Sequence, residues 1–419
     1  MNAEFTQSAY VLALSQVHWL GARSLTRVLK FFPNPDLLVE ASSEVIHEKL
    51  GEELSRIVLF RLLDHWETAF SSAQLSIERH IENKVIPIAL TDAKYPTLLK
   101  LIPDPPPLLF VRGDVDTLSS ADAIAIVGTR DATERGREVA NRIAKYFGKN
   151  GYVIVSGLAK GIDTAAHQGA LEVGAKTIAV LGTALNQIYP AENRSLADRI
   201  ACDSGALITE LSLGQKSFKN TFVQRDRIQS GMSLAVIPVQ TDIAGGTMHT
   251  VRFAETQGRL LFSPKPLESE QGLKQYSGIS ELIRTGRARP FQAEDYESLL
   301  ALIQERKKKL LSAESGLVEV PLNTEDARSA QRDRRRPRRK ATQEPQAALG
   351  FAEPVPDAEP IIAEEHIGKL IQAVRQLGLD SSAIRFDEAV SQVRKKIFGR
   401  ARSKQTPRKP SKRDTETGQ

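Results

Sequence analysis

The sequence predicts an α/β protein built on a doubly wound, mostly parallel sheet, and three observations carry that prediction. From residue 123 onward, short apolar runs alternate with helix-length amphipathic stretches: AIAIV, ERGREVANRIAKYFGKNG, YVIVSG, TAAHQGALEVG, TIAVLG, NRSLADRIACDSG and ALITE. Repetition of strand, helix, strand is the pattern of a parallel sheet with helices on both faces. The strands are apolar at nearly every position rather than at every second one, as burial of both sheet faces requires. The loops that follow the strands carry glycine and polar residues, at the carboxyl ends where such sheets hold ligands.

Composition bounds the rest. At 419 residues the chain exceeds one compact core, and about 150 residues per domain gives two to three units. With 41% hydrophobic and 26% charged residues it falls among soluble globular proteins, and no run of about 18 apolar residues exists to span a bilayer. Glu4, Gln7, His18 and Arg23 interrupt the first thirty residues, so no targeting leader is expected and a cytoplasmic address follows. The single cysteine, Cys202, excludes an intrachain disulfide and a cysteine-rich zinc site, and is expected as a small buried apolar residue. The net charge of +6 is unevenly spread, with RSAQRDRRRPRRK at 328–340 and GRARSKQTPRKPSKR at 399–413 holding the excess. Such blocks stay extended and attract polyanions, nucleic acid above all.

Along the chain, residues 1–84 read as a helical domain, with helical apolar spacing in YVLALSQV, RSLTRVLKFF and SRIVLFRLLDHW. The Gly-containing turn HWLGARSLT resembles a helix-hairpin-helix or SAM-like unit. Residues 85–265 hold the strands, beginning with VIPIAL and LLFVRGD. Between these two, the proline-dense IPDPPP is expected as an extended surface connection. Residues 266–300 read as loop and short helix, 301–360 as a disordered basic linker, 361–399 as a possible pair of short helices, and 400–419 as a basic disordered tail.

The chemistry is expected in the loops after the strands. Gly128, Thr129 and Arg130 combine close backbone approach with a fork of donors suited to phosphate. Ser156, Gly157 and Lys160 suit an anion again, while Asp163 is placed to cap the following helix. His167 stands without a second histidine or cysteine at ligand spacing, so it is expected as a helix-face residue touching a loop, and no metal site is expected. Lys216, Lys219, Arg225 and Arg227 read either as an ion-paired surface or as a continuation of the cationic path, with Phe218 and Phe222 interleaved for base stacking. VGTRDATERG lacks the last glycine of a dinucleotide fingerprint, and no GxxxxGK[ST] occurs, so no nucleotide cofactor is expected.

VGTR, IVSGLAKGIDTAAHQGAL, TIAVLGTALNQIYPAENRSLADRI, ALITE and the F-x-x-R-x-R-I segment resemble the DNA-processing protein A family, also called Smf. The resemblance covers about residues 85–265. It implies an extended Rossmann-like fold that binds single-stranded DNA without catalysis, dimerises, and loads a RecA-type recombinase onto DNA in natural transformation or DNA maintenance. It also implies that Arg130 grips a phosphate, with Gly128 and Thr129 shaping the pocket and Lys160, Arg225 and Arg227 extending the path. Two departures stand out. Asp226 replaces the family's usual asparagine between the two arginines, an added carboxylate that weakens DNA binding unless an arginine pairs it. Ala244 to Thr250 replaces a small-residue segment, and its turn at Gly245, Gly246 and Thr247 resembles the PGGxGT turn of LOG-type nucleotide phosphoribohydrolases, offering a second anion turn. The rival readings are therefore a nucleotide enzyme or sensor, with Glu210 or Glu255 assisting hydrolysis and a role in anti-phage defence, and a scaffold that dimerises and recruits partners through its tail.

Overall fold

The computed structural model describes residues 5–16, 20–63, 66–203 and 205–314; the segments 361–399 and 400–419, and the part of 301–360 beyond 314, lie outside them. Six helices come first: α1 (Thr6–Ser15), α2 (Ala22–Phe31), α3 (Pro35–Glu40), α4 (Ser43–Leu50), α5 (Glu52–Leu63) and α6 (Trp66–Glu82). Local signals set their ends. Gly21, in extended conformation, opens α2, and the Asn34 side chain accepts from the Leu37 amide ahead of Pro35 to start α3.

The described residues that follow build one nine-stranded sheet from β1 (Ile86–Ala89), β2 (Leu108–Gly113), β3 (Ala123–Val127), β4 (Val153–Ser156), β5 (Thr177–Val180), β6 (Ala206–Thr209), β7 (Ala235–Pro238), β8 (Leu260–Pro264) and β9 (Arg289–Phe291). The strand order is β1-β2-β6-β5-β4-β3-β7-β8-β9, antiparallel for β1 with β2 and β2 with β6, and parallel elsewhere. The chain steps from β3 out to β6 and then returns past β3 to β7. The connections after β3 and β7 therefore depart in opposite directions and leave a crevice beyond the carboxyl ends.

Every residue of β3 through β7 is buried, because helices cover both faces. One face carries α8 (Glu134–Lys149), α9 (Ile162–Glu172), α10 (Arg194–Cys202) and α14 (Tyr296–Glu314). The other carries α7 (Thr97–Lys100), α11 (Lys219–Gly231), α12 (Thr247–Thr256) and α13 (Ser277–Arg284). Helix α8 shows the logic: Thr133 caps it by accepting from the Gly136 amide at 3.0 Å, and Gly136, Ala140, Ile143, Ala144 and Phe147 form its buried stripe. Gly169 of α9 lets the two helices touch, since a Cβ there would overlap the Asn141 backbone and press on Ala144.

Three expectations are corrected here. The alternation does not stop at 265: β9 adds a strand, and α14 occupies 301–314, expected to be unfolded, by burying Leu299 and Ile303 and stacking Tyr296 on Tyr146 at 4.2 Å between ring centroids. The proline-dense connection is not purely a surface crossing, since Pro105 and Pro106 are buried and the Tyr95 hydroxyl donates to the Pro106 carbonyl at 2.6 Å. Cys202 is exposed rather than buried, because it ends α10 on the side facing away from Ala197 and Ile200.

Phe147 is fully buried among Tyr152, Tyr296 and the sheet, so Phe147→Ala is expected to lower the unfolding free energy by about 3–5 kcal/mol. Urea denaturation of the two proteins measures it, and an unchanged midpoint would place this ring outside the core.

Candidate nucleic-acid interface

An open crevice lies at the carboxyl ends of β3, β4 and β5, one strand to the side of the point where the connections diverge. Its walls are Arg130 from the loop after β3, Gly157, Ala159 and Lys160 from the loop after β4, Tyr189 and Pro190 from the loop before α10, and Phe222 and Arg225 from α11.

Arg225 forms the floor. Its Nη1 donates to the Val180 carbonyl at the end of β5 at 2.9 Å, and its Nε lies 3.0 Å from Asp226 Oδ1. Gly157 is required beneath it, because any Cβ at that position would occupy the guanidinium's place. The loop after β4 is pinned from below by Asp163, whose Oδ2 accepts from the amides of Gly157 at 3.1 Å and Ala159 at 3.3 Å. It is pinned from the side by Asn193, which donates to the Leu158 carbonyl at 2.8 Å. Leu158 sits fully buried with φ of 59°, a left-handed conformation that costs a bulky residue roughly 1–2 kcal/mol and that these contacts hold in place. Gly161, at φ 79°, closes the loop against the backbone of Thr129 and Arg130, where a Cβ would overlap the Thr129 carbonyl.

The predicted residues separate into those the fold assembles and those it sends elsewhere. Gly128 packs on Ile162 and Thr129 bridges to Gln240 and Ile162 through its backbone, so both shape the wall that presents Arg130. Arg130 is exposed and makes no hydrogen bond or ion pair among the described residues. Lys160 pairs with Glu192 at the mouth, both more than half exposed. Ser156 does not face the crevice, since it is buried and its hydroxyl donates to the Ile126 carbonyl at 2.7 Å. Arg227 leaves the path altogether. Residues two apart on a helix point about 200° from each other, and Arg227 turns to Glu210, 2.5 Å away, and Asp104, 3.5 Å away. Lys216 and Lys219 are exposed outside the lining, flanking Phe218, which is 66% exposed.

At the turn of Gly245, Gly246 and Thr247, the chain's own groups take the amides leading into the turn and that of Gly245. Asp242 Oδ1 accepts from the Ala244 amide at 3.1 Å, the Asp242 carbonyl from Gly245, and the Ile243 amide donates to Ser277. Asp242 thus engages the approach to the turn and its first amide. Asp163 is no forward cap: α9 starts at Ile162, and the carboxylate folds back onto the preceding loop. His167 is fully buried and its Nδ1 donates to Thr177 Oγ1 of β5 at 2.7 Å, because that hydroxyl's own proton goes to the Ile154 carbonyl. Burial, and then Arg225, push its pKa down to about 3, so the ring is neutral. Among the described residues no group of three or more His, Cys, Asp or Glu could hold a metal, and no helix is long and apolar enough to cross a membrane.

Sequence reasoning missed Tyr189, which is 52% exposed and meets Phe222 edge to face at 5.7 Å. The signal was the dipeptide Tyr189-Pro190 inside a loop after a strand, an exposed aromatic at a strand end. It also missed Gln229. In the amide orientation that satisfies its neighbours, Gln229 accepts from the Gly157 amide at 2.8 Å and donates to Asp226 Oδ1 at 3.0 Å.

The model of the family described as DNA recombination-mediator protein A matches residues 87–302. A protein named Smf from Synechocystis is 33% identical over 294 residues, covering 67% of this chain and 69% of that one. The DNA processing protein DprA of Bacillus subtilis is 32% identical over 290 residues, covering 69% of this chain and 94% of that one. Among solved structures, DNA processing protein A from Streptococcus pneumoniae superposes with a TM-score of 0.56 at 29% identity, covering 68% of this chain and 94% of that one.

Gly157→Ala tests the architecture of the floor: the new methyl displaces the Arg225 guanidinium and should destabilise the fold by about 1–3 kcal/mol. Thermal denaturation measures the effect, and a variant as stable as the parent would mean the guanidinium is not packed there.

Proposed function

The chain belongs to the DNA recombination-mediator protein A family, and from that premise we propose that it binds single-stranded DNA along the crevice. In this reading it is a non-enzymatic mediator that dimerises and presents the strand to a RecA-type recombinase in the cytoplasm. One observation carries the DNA reading: Arg130, exposed and without a carboxylate partner among the described residues, lines an open crevice bordered by a pair of aromatic rings. A guanidinium offers paired donors to a phosphate, and the exposed faces of Tyr189 and Phe222 offer surfaces to bases. Lys160 is available once its solvent-exposed partner lets go, and Lys216 and Lys219 continue the positive path past Phe218. The arginine-rich stretches at 328–340 and 399–413 lie outside the described residues and, as sequence, add salt-sensitive attraction.

Support for binding without bond-breaking comes from the carboxylates. No carboxylate is among the described residues that wall the crevice, and Asp226, beside its floor, is paired with Arg225 at 3.0 Å. Glu210 is committed to Arg227, Glu255 to Arg287 at 2.6 Å, and Asp163 to two backbone amides. A hydrolase needs a carboxylate within reach of an attacking water, and each of the three is already engaged in holding the fold.

Titrations of a fluorescent poly-dT oligonucleotide at several salt concentrations test the reading. Wild type is expected to weaken steeply with salt, and Arg130→Ala to lose about tenfold or more in affinity with a shallower slope, by about 0.7 for each phosphate contact removed. Arg227→Ala should separate structure from binding. Stranding Glu210 should cost on the order of 3–5 kcal/mol of stability while leaving affinity within about twofold. Unchanged affinity in Arg130→Ala would remove the DNA from the crevice.

A further inference from the structure

Three cations line the crevice, and they are not equivalent. Arg130 has no carboxylate partner among the described residues, and Lys160 is held only by an exposed pair of the kind that contributes little. Arg225 is 9% exposed and is opposed by two carboxylates: Asp226 beside it on α11, and Asp163 facing it from α9. The other charged or titratable groups around Asp226 are Arg130 from the loop after β3 and the neutral His167 of α9 behind Arg225, with Lys160 at the mouth. Gln229 completes the shell by donating to Asp226 Oδ1. The floor of a crevice read as a phosphate site thus holds one buried positive charge under two negative ones.

We propose that Asp226 sets the affinity of the crevice for phosphate. In the empty protein it and Asp163 neutralise Arg225, and a phosphate seated beside Arg130 and Arg225 draws one proton from solvent onto the Asp163–Asp226 pair. That proton converts Arg225 from an internally satisfied cation into a ligand for the phosphate. The inference rests on the nucleic-acid reading given above. The resting state of the pair favours it: burial pushes the Asp226 carboxyl up to about 7, against the pull of Arg225 and with a further push from Asp163. Burial raises Asp163 as well, while Arg225 and the Ala159 and Gly157 amides hold it down. A carboxyl poised near neutrality takes up a proton when a second negative charge arrives, so affinity must rise as pH falls through that range.

The test uses the full chain and a fluorescent poly-dT oligonucleotide at fixed salt. Wild type is expected to bind about tenfold more tightly at pH 6 than at pH 8, and calorimetry in two buffers of different ionisation heat should show uptake of about 0.7 proton per site at pH 7.5. Asp226→Asn keeps the size and removes the proton site. It should bind with a flat pH profile, at least as tightly as wild type at pH 8, and take up no proton. Equal pH slopes in the two proteins, or no proton uptake by wild type, would overturn the inference while leaving the DNA reading intact. Failure of wild type to bind the oligonucleotide at any pH would sink the DNA reading and this inference with it. Should Asp226→Asn fold poorly, the calorimetric result on wild type alone still decides.

Discussion

The seat of Arg225 under the loop after β4 is the contact on which the rest of the crevice depends. A long cation reaches from α11 to the end of β5 and occupies space that only a glycine at 157 can leave free. The loop is therefore fixed between the Arg225 guanidinium and the Asp163 carboxylate. From there the order propagates outward. Leu158 is forced into a left-handed turn, Gly161 is brought against the backbone of Thr129, and Arg130 is set at the rim. Arg130 has no partner among the described residues because its neighbours are committed elsewhere.

The electrostatics follow from the same arrangement. A buried cation in a sheet protein needs compensation, and this fold supplies it from two helices on opposite faces, α9 and α11. The charge at the rim is then an exposed side chain, Arg130, while the cation of the floor is already opposed by carboxylates.

Much of the fold was legible because it is written in periodicity. Each of β3 through β7 is an uninterrupted apolar run, and a run of that kind has one comfortable home, the middle of a covered parallel sheet. Strand β9 was hidden because three residues, one of them proline, carry no period. Helix α14 was hidden because the cations of its second half mask the spacing of Leu299 and Ile303, which alone decides its burial. At the site, glycines and Arg130 could be read from their place after the strands. The partition of Arg225 from Arg227 follows from helical geometry once α11 is known to be a helix, whereas the backward reach of Asp163 depends on a loop that only the folded chain defines. The same holds for Asp242, whose carboxylate and carbonyl take the amides of Ala244 and Gly245. A glycine-rich turn reads the same whether its amides are vacant or already taken.

The change of composition near residue 85 marks where helices give way to strands, and it is natural to expect two bodies joined by a tether. The structure joins them differently. Tyr10, Leu14 and Ile77 belong to one continuous buried cluster with Phe110, Leu181 and Leu207 of the sheet. His80 of α6 stacks on Phe110 at 4.2 Å, donates through Nδ1 to the Ser76 carbonyl, and accepts at Nε2 from the Leu213 amide, in the very loop that leads to Lys216 and α11. The two parts share one buried core, so a chain cut at that boundary would be left with a torn apolar face instead of a clean module.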